Sequence, residues 1–298
     1  FTMEDKPDKA VLIIGCGYIG RRVARLLRAD NCRVTGCVRS DASAQALKKS
    51  GFSVIQADLD SNISAAPFNG FDVIFYFAPP PGDGDIDTRM QKFLHALDVR
   101  NLRRFVYIST SAVYGDCNGE WITEAQATKP TTGRGVRRLD AENRLVNWCE
   151  RHDVQWTVLR VPGIYGPGKL PLARLEKGLP VLREADAPYT NRIHGDDLAT
   201  ICVAAMRSTK SNTVFNVSDG NPGNMTDYFF RVADAAGLSR PPVVTRAEAN
   251  RVLSSGMLSF LADSRRIRND KILHELGVTL QYPDLAAGLA ACFQGTSD

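Results

Sequence analysis

Short apolar runs alternate with segments of helical periodicity along the first 220 residues of the chain. The runs are rich in Val, Ile and Phe and lack a polar face, which is typical of strands that are buried on both sides. The predicted strands cover residues 11–14, 33–38, 53–57, 71–77, 104–108, 155–159 and 213–217. This alternation predicts an α/β fold with a Rossmann-type, doubly wound parallel sheet.

The segments between the strands predict helices, and the pattern also suggests a domain division. Helices are expected over about 42–50, 134–151, 169–178 and 195–207, with another opened by the glycine motif and one around Met90. Beyond residue 221 the pattern loosens into short helices. We predict an NAD(P)-binding Rossmann domain over 10–165, to which 191–220 contribute, and a small C-terminal substrate-binding cap made of 166–190 and 221–298. Residues 1–9 are polar and are predicted to be loose.

Three glycines follow the first strand at the spacing G-x-G-x-x-G. Gly15 allows a tight turn, Gly17 lets a pyrophosphate approach the backbone, and Gly20 lets the next helix pack closely on the sheet. The free N–H groups of that helix face the anion, and Tyr18 and Ile19 are predicted to contact the cofactor. A glycine turn without a ligand is the alternative, but the hydrophobic strand before the motif and the amphipathic helix after it favour a dinucleotide site.

The end of the second strand bears on the choice between NAD and NADP. Enzymes that bind NAD usually place an Asp or Glu there, where it binds the ribose hydroxyls. This chain instead has Val38, Arg39 and Ser40. Arg39 and Ser40 could hold a 2′-phosphate by charge and by hydrogen bonding, whereas the alternative is a solvent-facing arginine. The sequence therefore favours NADP as cofactor and still allows NAD.

Composition narrows the classes of function. The chain has 298 residues, of which 44% are hydrophobic and 23% charged, as in globular proteins. A net charge of +4 is too small and too scattered to predict a nucleic-acid partner, and no apolar run reaches membrane-spanning length. The seven cysteines form no C-x-x-C pair and predict a reducing, cytoplasmic location. The four isolated histidines lack metal-ligand spacing, so no metal is predicted.

Further motifs occur in a fixed order after the glycine loop. They are Asp58 with Leu59 and the stretches 109–115, 159–168, 193–198 and 215–219. Together with the glycine loop they resemble the extended short-chain dehydrogenase/reductases of the NAD(P)-dependent epimerase/dehydratase superfamily. The resemblance is closest to the atypical members with a G-x-G-x-x-G loop. It covers about residues 10–220 and implies a nicotinamide cofactor and a small-molecule substrate.

The resemblance also implies which residues contact the cofactor. Asp58 and Leu59 match the pair that contacts adenine, and Ala78 with Pro79 matches the loop that covers the cofactor. Pro162 and Gly163 match the position whose backbone holds the nicotinamide carboxamide, and Ser109 belongs to the same set. Each position also has a simpler interpretation, since Asp, Pro and Gly are ordinary turn residues.

The chain departs from the family at the residues that move a proton. The family carries Tyr-x-x-x-Lys one turn before a Glu, on the helix after the fifth strand. Counting back from Glu142, Arg138 stands in the place of the Lys and Arg134 in the place of the Tyr. The lysine lowers a phenol pKa of about 10 towards the working pH, whereas arginine stays protonated and cannot act as a general base. Arg138 could still hold the nicotinamide ribose, and Arg134 could bind an anionic substrate.

Two interpretations of function follow. The first is an NADP-dependent oxidoreductase or epimerase-like enzyme that acts on a small carbonyl, hydroxyl or sugar-derived substrate. Because Arg134 could bind an anionic group, that substrate could be an anion. Thr110, which aligns with the catalytic Ser/Thr, and Ser111 would bind the reacting oxygen. Tyr114, Tyr165, water or the substrate would supply the proton. The second is a catalytically inactive NADP(H)-binding sensor or regulatory protein. We expect no nucleic-acid or membrane partner, and a homodimer is compatible with either interpretation.

Overall fold

The computed structural model describes residues 9–293. Apart from Lys9, the segment predicted to be loose lies outside the described residues, as do residues 294–298 of the predicted cap. The strands are β1 (Ala10–Ile14), β2 (Arg33–Val38), β3 (Ser53–Gln56), β4 (Val73–Tyr76), β5 (Arg104–Thr110), β6 (Trp121–Ile122), β7 (Gln155–Val161), β8 (Gly163–Tyr165), β9 (Val181–Leu182), β10 (Tyr189–Thr190), β11 (Arg192–His194), β12 (Thr213–Asn216), β13 (Gly223–Asn224), β14 (Val243–Val244) and β15 (Arg266–Ile267). The helices are α1 (Tyr18–Ala29), α2 (Asp41–Lys49), α3 (Thr88–Ala96), α4 (Gly133–Arg151), α5 (Leu172–Glu176), α6 (Gly195–Arg207), α7 (Met225–Ala235), α8 (Arg246–Val252), α9 (Ser255–Leu261), α10 (Asp270–Glu275) and α11 (Leu285–Phe293).

Seven strands form one parallel sheet in the order β12-β7-β5-β4-β1-β2-β3. Strand β1 lies between β2 and β4, pairing Ala10 with Arg33 and Val11 with Val73. Every residue of β1 and β4 is buried, as expected for parallel strands in the middle of a doubly wound sheet. The chain builds outwards from β1 in one direction and then in the other, so the switch point lies between β1 and β4. The predicted fold class is confirmed.

Helix α1 packs on this sheet through the face that the sequence pattern predicts. Ile19, Val23 and Leu27 are buried, while arginines occupy much of the rest of the helix surface. A Cβ added at Gly20 would lie 3.1 Å from Cγ2 of Ile13, so the glycine permits the close approach of helix and strand. A side chain at this position would require its neighbours, Ile13 among them, to shift by a few tenths of an ångström.

The described residues divide into two compact units. The first comprises 9–109, 136–159 and 198–215, and the second comprises 110–135, 160–197 and 216–293. This grouping places 110–135 with the second unit, whereas the predicted boundaries placed it with the Rossmann domain. The predicted assignment of the two domains to cofactor and substrate stays a prediction.

The second unit contains short strand pairs that the sequence pattern did not predict. Strands β8 and β11 are parallel and pair Gly163 with Arg192 and Tyr165 with His194. Three further pairs, β6 with β15, β9 with β14 and β10 with β13, contain two residues per strand. Strands this short have too few residues to show a period of two.

Helix α5 is also shorter than the predicted helix over 169–178. Within residues 9–293 no helix is long and apolar enough to cross a membrane.

Candidate functional site

The glycine loop is fixed between the ends of two neighbouring strands. The carbonyl of Cys37 accepts hydrogen bonds from the N–H groups of Gly15 at 3.1 Å and Cys16 at 3.0 Å. Gly15 has a φ of +77°, and a Cβ there would lie 2.6 Å from the backbone nitrogen of Ala78. Both the left-handed backbone and the contact with Ala78 require glycine at this position.

The start of α1 is open. If a Cβ were added at Gly17, the nearest atom beyond its chain neighbours would be the carbonyl oxygen of Gly15, 4.0 Å away. The helix has no side-chain cap and no acidic residue in its first turn. The N–H groups of Tyr18 and Ile19 therefore lie at a helix end whose partial positive charge no carboxylate of that turn neutralises. These features fit the pyrophosphate of a dinucleotide.

A cavity of about 230 Å³ adjoins the glycine loop in the first unit. Six of the residues predicted to contact the cofactor line it: Gly15, Arg39, Asp58, Leu59, Ala78 and Pro79. They come from the ends of β1, β2, β3 and β4, which is where ligands bind in an open parallel sheet. The structure thus brings together a large part of the predicted cofactor set.

Two arginines line this cavity and differ in their contacts. Arg89 binds both carboxylate oxygens of Asp60, at 2.7 and 2.6 Å, and its Nη1 donates to the carbonyl of Pro79 at 2.9 Å. The hydrogen bond from Arg89 lowers the pKa of the exposed Asp60 carboxyl. The Arg39 side chain is exposed and makes no hydrogen bond with any described residue. Of the two arginines, Arg39 is therefore the one whose guanidinium is available to bind a phosphate.

Ser40 has a role that the sequence analysis did not include. Its Oγ accepts a hydrogen bond from the N–H of Ser43 at 3.2 Å and donates to the Oγ of Ser43 at 3.0 Å. Ser40 is therefore the N-cap of α2. Because the hydroxyl is engaged by the helix, the predicted 2′-phosphate contact depends chiefly on Arg39.

Strand β5 ends among buried polar groups of the first unit. Ser109 donates a hydrogen bond to Glu142, and both side chains are buried. Arg138 is half-buried, and its Nη1 donates to the carbonyl of Ile108 at 2.9 Å and to the hydroxyl of Tyr107 at 3.1 Å. Burial raises the pKa of the Tyr107 phenol to about 12. Arg138 is thus fixed against the carboxyl end of β5 by neutral partners.

The remaining predicted catalytic residues lie in the second unit. Thr110 Oγ1 accepts a hydrogen bond from the N–H of Ala112 at 3.2 Å and caps the 3₁₀ helix Ser111–Tyr114. This contact leaves the hydroxyl hydrogen of Thr110 for another acceptor. Ser111 is buried, and Pro162 and Gly163 are half-buried at the start of β8. Among the described residues no group of three or more His, Cys, Asp or Glu side chains could hold a metal ion.

The first turn of α4 is closely packed. The guanidinium of Arg134 lies 4.1 Å from the ring centroid of Phe260. Thr132 accepts a hydrogen bond from the N–H of Gly135, and a Cβ at Gly135 would lie 2.7 Å from the carbonyl oxygen of Ala112. Arg134 therefore has an aromatic partner within its own unit, and no phenol stands in its place.

The two tyrosines considered as proton donors belong to the core of the second unit. The Tyr114 hydroxyl donates to Oδ1 of Asn216 at 2.6 Å, and the Tyr165 hydroxyl donates to the carbonyl of Asp284 at 3.2 Å. Their exposed fractions are 1% and 0%, and burial raises the pKa of both phenols. Each hydroxyl is thus buried and already bonded, and the role of either tyrosine as proton donor stays a prediction.

Comparisons with known proteins bear on this site. Residues 11–218 match the model of the NAD dependent epimerase/dehydratase family. Protein YeeZ of Escherichia coli (strain K12) is 25% identical over 295 residues, which cover 93% of this chain and 97% of YeeZ. A conserved protein of unknown function from Silicibacter pomeroyi DSS has a TM-score of 0.82 at 30% identity, covering 95% of this chain and 98% of that one. UDP-glucuronic acid 4-epimerase from Bacillus cereus, solved in complex with NAD, has a TM-score of 0.76 at 20% identity, covering 95% and 96%.

The parallel sheet, the open glycine loop and the cavity beside it define a Rossmann-type protein with a site of the kind that binds dinucleotides. The chain belongs to the NAD dependent epimerase/dehydratase family. The resemblance inferred from the motifs is thereby confirmed. The similarity to the solved UDP-glucuronic acid 4-epimerase shows that the two chains share a fold.

Proposed function

We propose that the protein is an NADP-dependent oxidoreductase or epimerase-like enzyme that acts on a sugar-derived carbonyl or hydroxyl compound. The observation that carries the cofactor preference is the exposed guanidinium of Arg39, which lines the cavity at the strand end where NAD enzymes usually have an acid. The sugar class is supported by relatives such as the putative UDP-arabinose 4-epimerase 4 of Arabidopsis thaliana, 27% identical over 62% of this chain.

In this proposal some residues bind the phosphate groups of the cofactor, and others orient its ribose and the substrate. The glycine loop and the open start of α1 hold the pyrophosphate, and Arg39 holds the 2′-phosphate. The nicotinamide, when bound, supplies a hydride donor or acceptor. Arg138, fixed at the end of β5, orients the ribose. Thr110 donates its free hydroxyl hydrogen to the reacting oxygen of the substrate. Because Arg134 stays protonated, the proton is exchanged with water or with a hydroxyl of the substrate itself.

A second candidate is an inactive NADP(H)-binding sensor. It is favoured by Arg134 in the place of the tyrosine and by the buried, bonded hydroxyls of Tyr114 and Tyr165. Both candidates require the same cofactor site, so cofactor binding does not separate them. Turnover does.

The test is to incubate the full chain and NADP(H) with a panel of UDP-sugars and small hydroxy or carbonyl sugars. Nicotinamide absorbance reports net oxidation, and chromatography of the sugars reports epimerisation. We expect turnover of at least one compound and its loss in Thr110→Val. Thr123→Val is the matched control, because Thr123 Oγ1 makes the same contact with an N–H two residues on and is exposed. Tight NADP(H) binding without turnover would support the sensor instead.

A further inference from the structure

The second unit contains a guanidinium, that of Arg192, which forms no salt bridge with a carboxylate of residues 9–293. Arg192, on β11, is paired in register with Gly163 on β8, and a Cβ at Gly163 would lie 2.2 Å from its Nη1. The same guanidinium is stacked 3.7 Å from the ring centroid of Tyr228. Its Nε is buried and has no hydrogen-bond partner in the described part of the chain. Burial lowers the pKa of the half-buried Arg192, because desolvation disfavours the charged form.

Asp219 presents the complementary group. The residue is 5% exposed, and its Oδ1 accepts a hydrogen bond from the N–H of Asn221 at 2.8 Å. Its Oδ2 is buried and has no partner among residues 9–293. The N–H of Asp219 donates to the carbonyl of Arg192 at 2.8 Å, so the two residues are adjacent. Burial raises the pKa of the Asp219 carboxyl to about 7, while the charge of Arg192 opposes that rise.

A satisfied pair in the same unit shows what is missing. Arg240 also lies over an aromatic ring, that of Phe230 at 5.0 Å, and it binds both oxygens of Asp234 at 2.9 and 2.7 Å. No such ion pair joins Arg192 to Asp219 within the described chain. A buried donor or acceptor without a partner destabilises a protein. A third group that both accepts and donates a hydrogen bond would satisfy both side chains at once.

We propose that Arg192 and Asp219 form a subsite for a hydroxyl group of the substrate. A hydroxyl accepts from the guanidinium and donates to the free carboxylate oxygen, whereas a carboxylate or any other fully ionised oxyanion only accepts. An anion on Arg192 would also meet the negative charge of Asp219, and Asp197 and Asp284 add to the negative field there. The proposal rests on the proposed function in assigning the hydroxyl to a sugar-derived substrate, and it names the residues that recognise that sugar.

The experiment measures binding and needs neither turnover nor cofactor. Methyl α-D-glucopyranoside is titrated into the full chain and followed by ligand-observed NMR, with inorganic phosphate and D-glucuronate as anionic probes. We expect the glucoside to bind in the millimolar range, with affinity reduced roughly tenfold in Arg192→Met and roughly fivefold in Asp219→Asn. Arg240→Met and Asp234→Asn should leave it unchanged. Arg192→Lys, which keeps the charge and the stem on Tyr228, should lose less than Arg192→Met.

Each outcome decides the matter. Melting curves identify variants that fail to fold. If Arg192→Met does not fold, the comparison is made with the isosteric Asp219→Asn and the conservative Arg192→Lys. Absence of glucoside binding, or binding that ignores both substitutions, would overturn the subsite. Arg192-dependent binding of phosphate or glucuronate alone would overturn it in favour of an anion site. Arg192-dependent glucoside binding without turnover of any sugar would keep the subsite and remove the proposed enzyme activity, so the two failures are distinguishable.

Discussion

The glycine loop and the first turn of α4 carry two parts of one family pattern, and they are built in opposite ways. Around Gly17 there is room for a side chain, and α1 begins without a side-chain cap. Around Gly135 there is no room for a side chain. The Thr132 side chain accepts a hydrogen bond from the N–H of Gly135 in the first turn of α4, and the guanidinium of Arg134 is stacked on Phe260. The first region is left open to a ligand, whereas the second is filled by the protein's own side chains.

The difference shows which functions survive substitution. Binding a pyrophosphate depends on backbone N–H groups and on the absence of side chains, so three glycines preserve it. Moving a proton depends on one phenol with a lowered pKa, and an arginine in its place removes that chemistry entirely. A chain with this glycine loop and with Arg134 and Arg138 is therefore predicted to hold a cofactor without the usual proton shuttle.

The largest effect is expected from filling the open region. Gly17→Val should reduce cofactor affinity by at least roughly 100-fold, about 2.7 kcal/mol, because the side chain occupies the path of the pyrophosphate. The melting temperature should stay nearly unchanged, since a Cβ at this position meets no close atom. Calorimetric titration and a melting curve measure the two quantities.

Gly20→Val is the matched control on the same loop. Its Cβ would approach Ile13, so it should lower the melting temperature. Unchanged cofactor affinity in a folded Gly17→Val protein would mean that the glycine loop is only a structural turn.

The next largest effect concerns the 2′-phosphate. Arg39→Ala should erase a preference for NADP over NAD, because a charge-assisted hydrogen bond contributes roughly 1.5–3 kcal/mol. NAD affinity should stay the same. Arg33→Ala, an exposed arginine at the opposite end of β2, is the control. A preference for NADP that persists without Arg39 would assign the phosphate to another residue.

A smaller effect is expected on α4. Arg138→Met should weaken NADP(H) binding roughly tenfold and reduce stability by about 1 kcal/mol, because the carbonyl of Ile108 loses its charged donor. Arg134→Met should spare cofactor affinity, since its guanidinium is stacked on Phe260. Titration of both variants with NADP(H) makes the comparison. Equal affinities in the two would show that the Lys position of the family has lost its role here.

The smallest effect, at the limit of detection, is a gain of function. Arg134→Tyr combined with Arg138→Lys restores the Tyr-x-x-x-Lys pattern, and we expect slow carbonyl reduction with NADPH. A tyrosine ring can occupy the place of the guanidinium beside Phe260. Arg134→Phe with Arg138→Lys lacks the phenol and is the control. Equal rates in the two double variants would show that the added hydroxyl does not reach the substrate.

The sequence predicted the main sheet because its strands are continuous apolar runs. Strands β5 and β7 extend two residues beyond the predicted ends, because Ser109 and Thr110 in β5 and Arg160 and Val161 in β7 keep the extended backbone of the strand. The pairing of β8 with β11 could not be predicted from three residues per strand. Arg192 and Asp219 therefore escaped notice, because only that pairing and the hydrogen bond between their backbones make them neighbours. The partners of the Tyr114 and Tyr165 hydroxyls, Asn216 and Asp284, lie 102 and 119 residues further along the chain and could not be predicted from the sequence.

The central claim is that this chain keeps an NADP site made of the open glycine loop and Arg39. Calorimetric titration of the unmodified protein with NADP⁺ and NAD⁺ tests it most directly. We expect both to bind, NADP⁺ roughly tenfold or more tightly, with a preference that falls as salt is added because it depends on a charged contact at the surface. Equal affinities, or a preference for NAD⁺, would contradict the account.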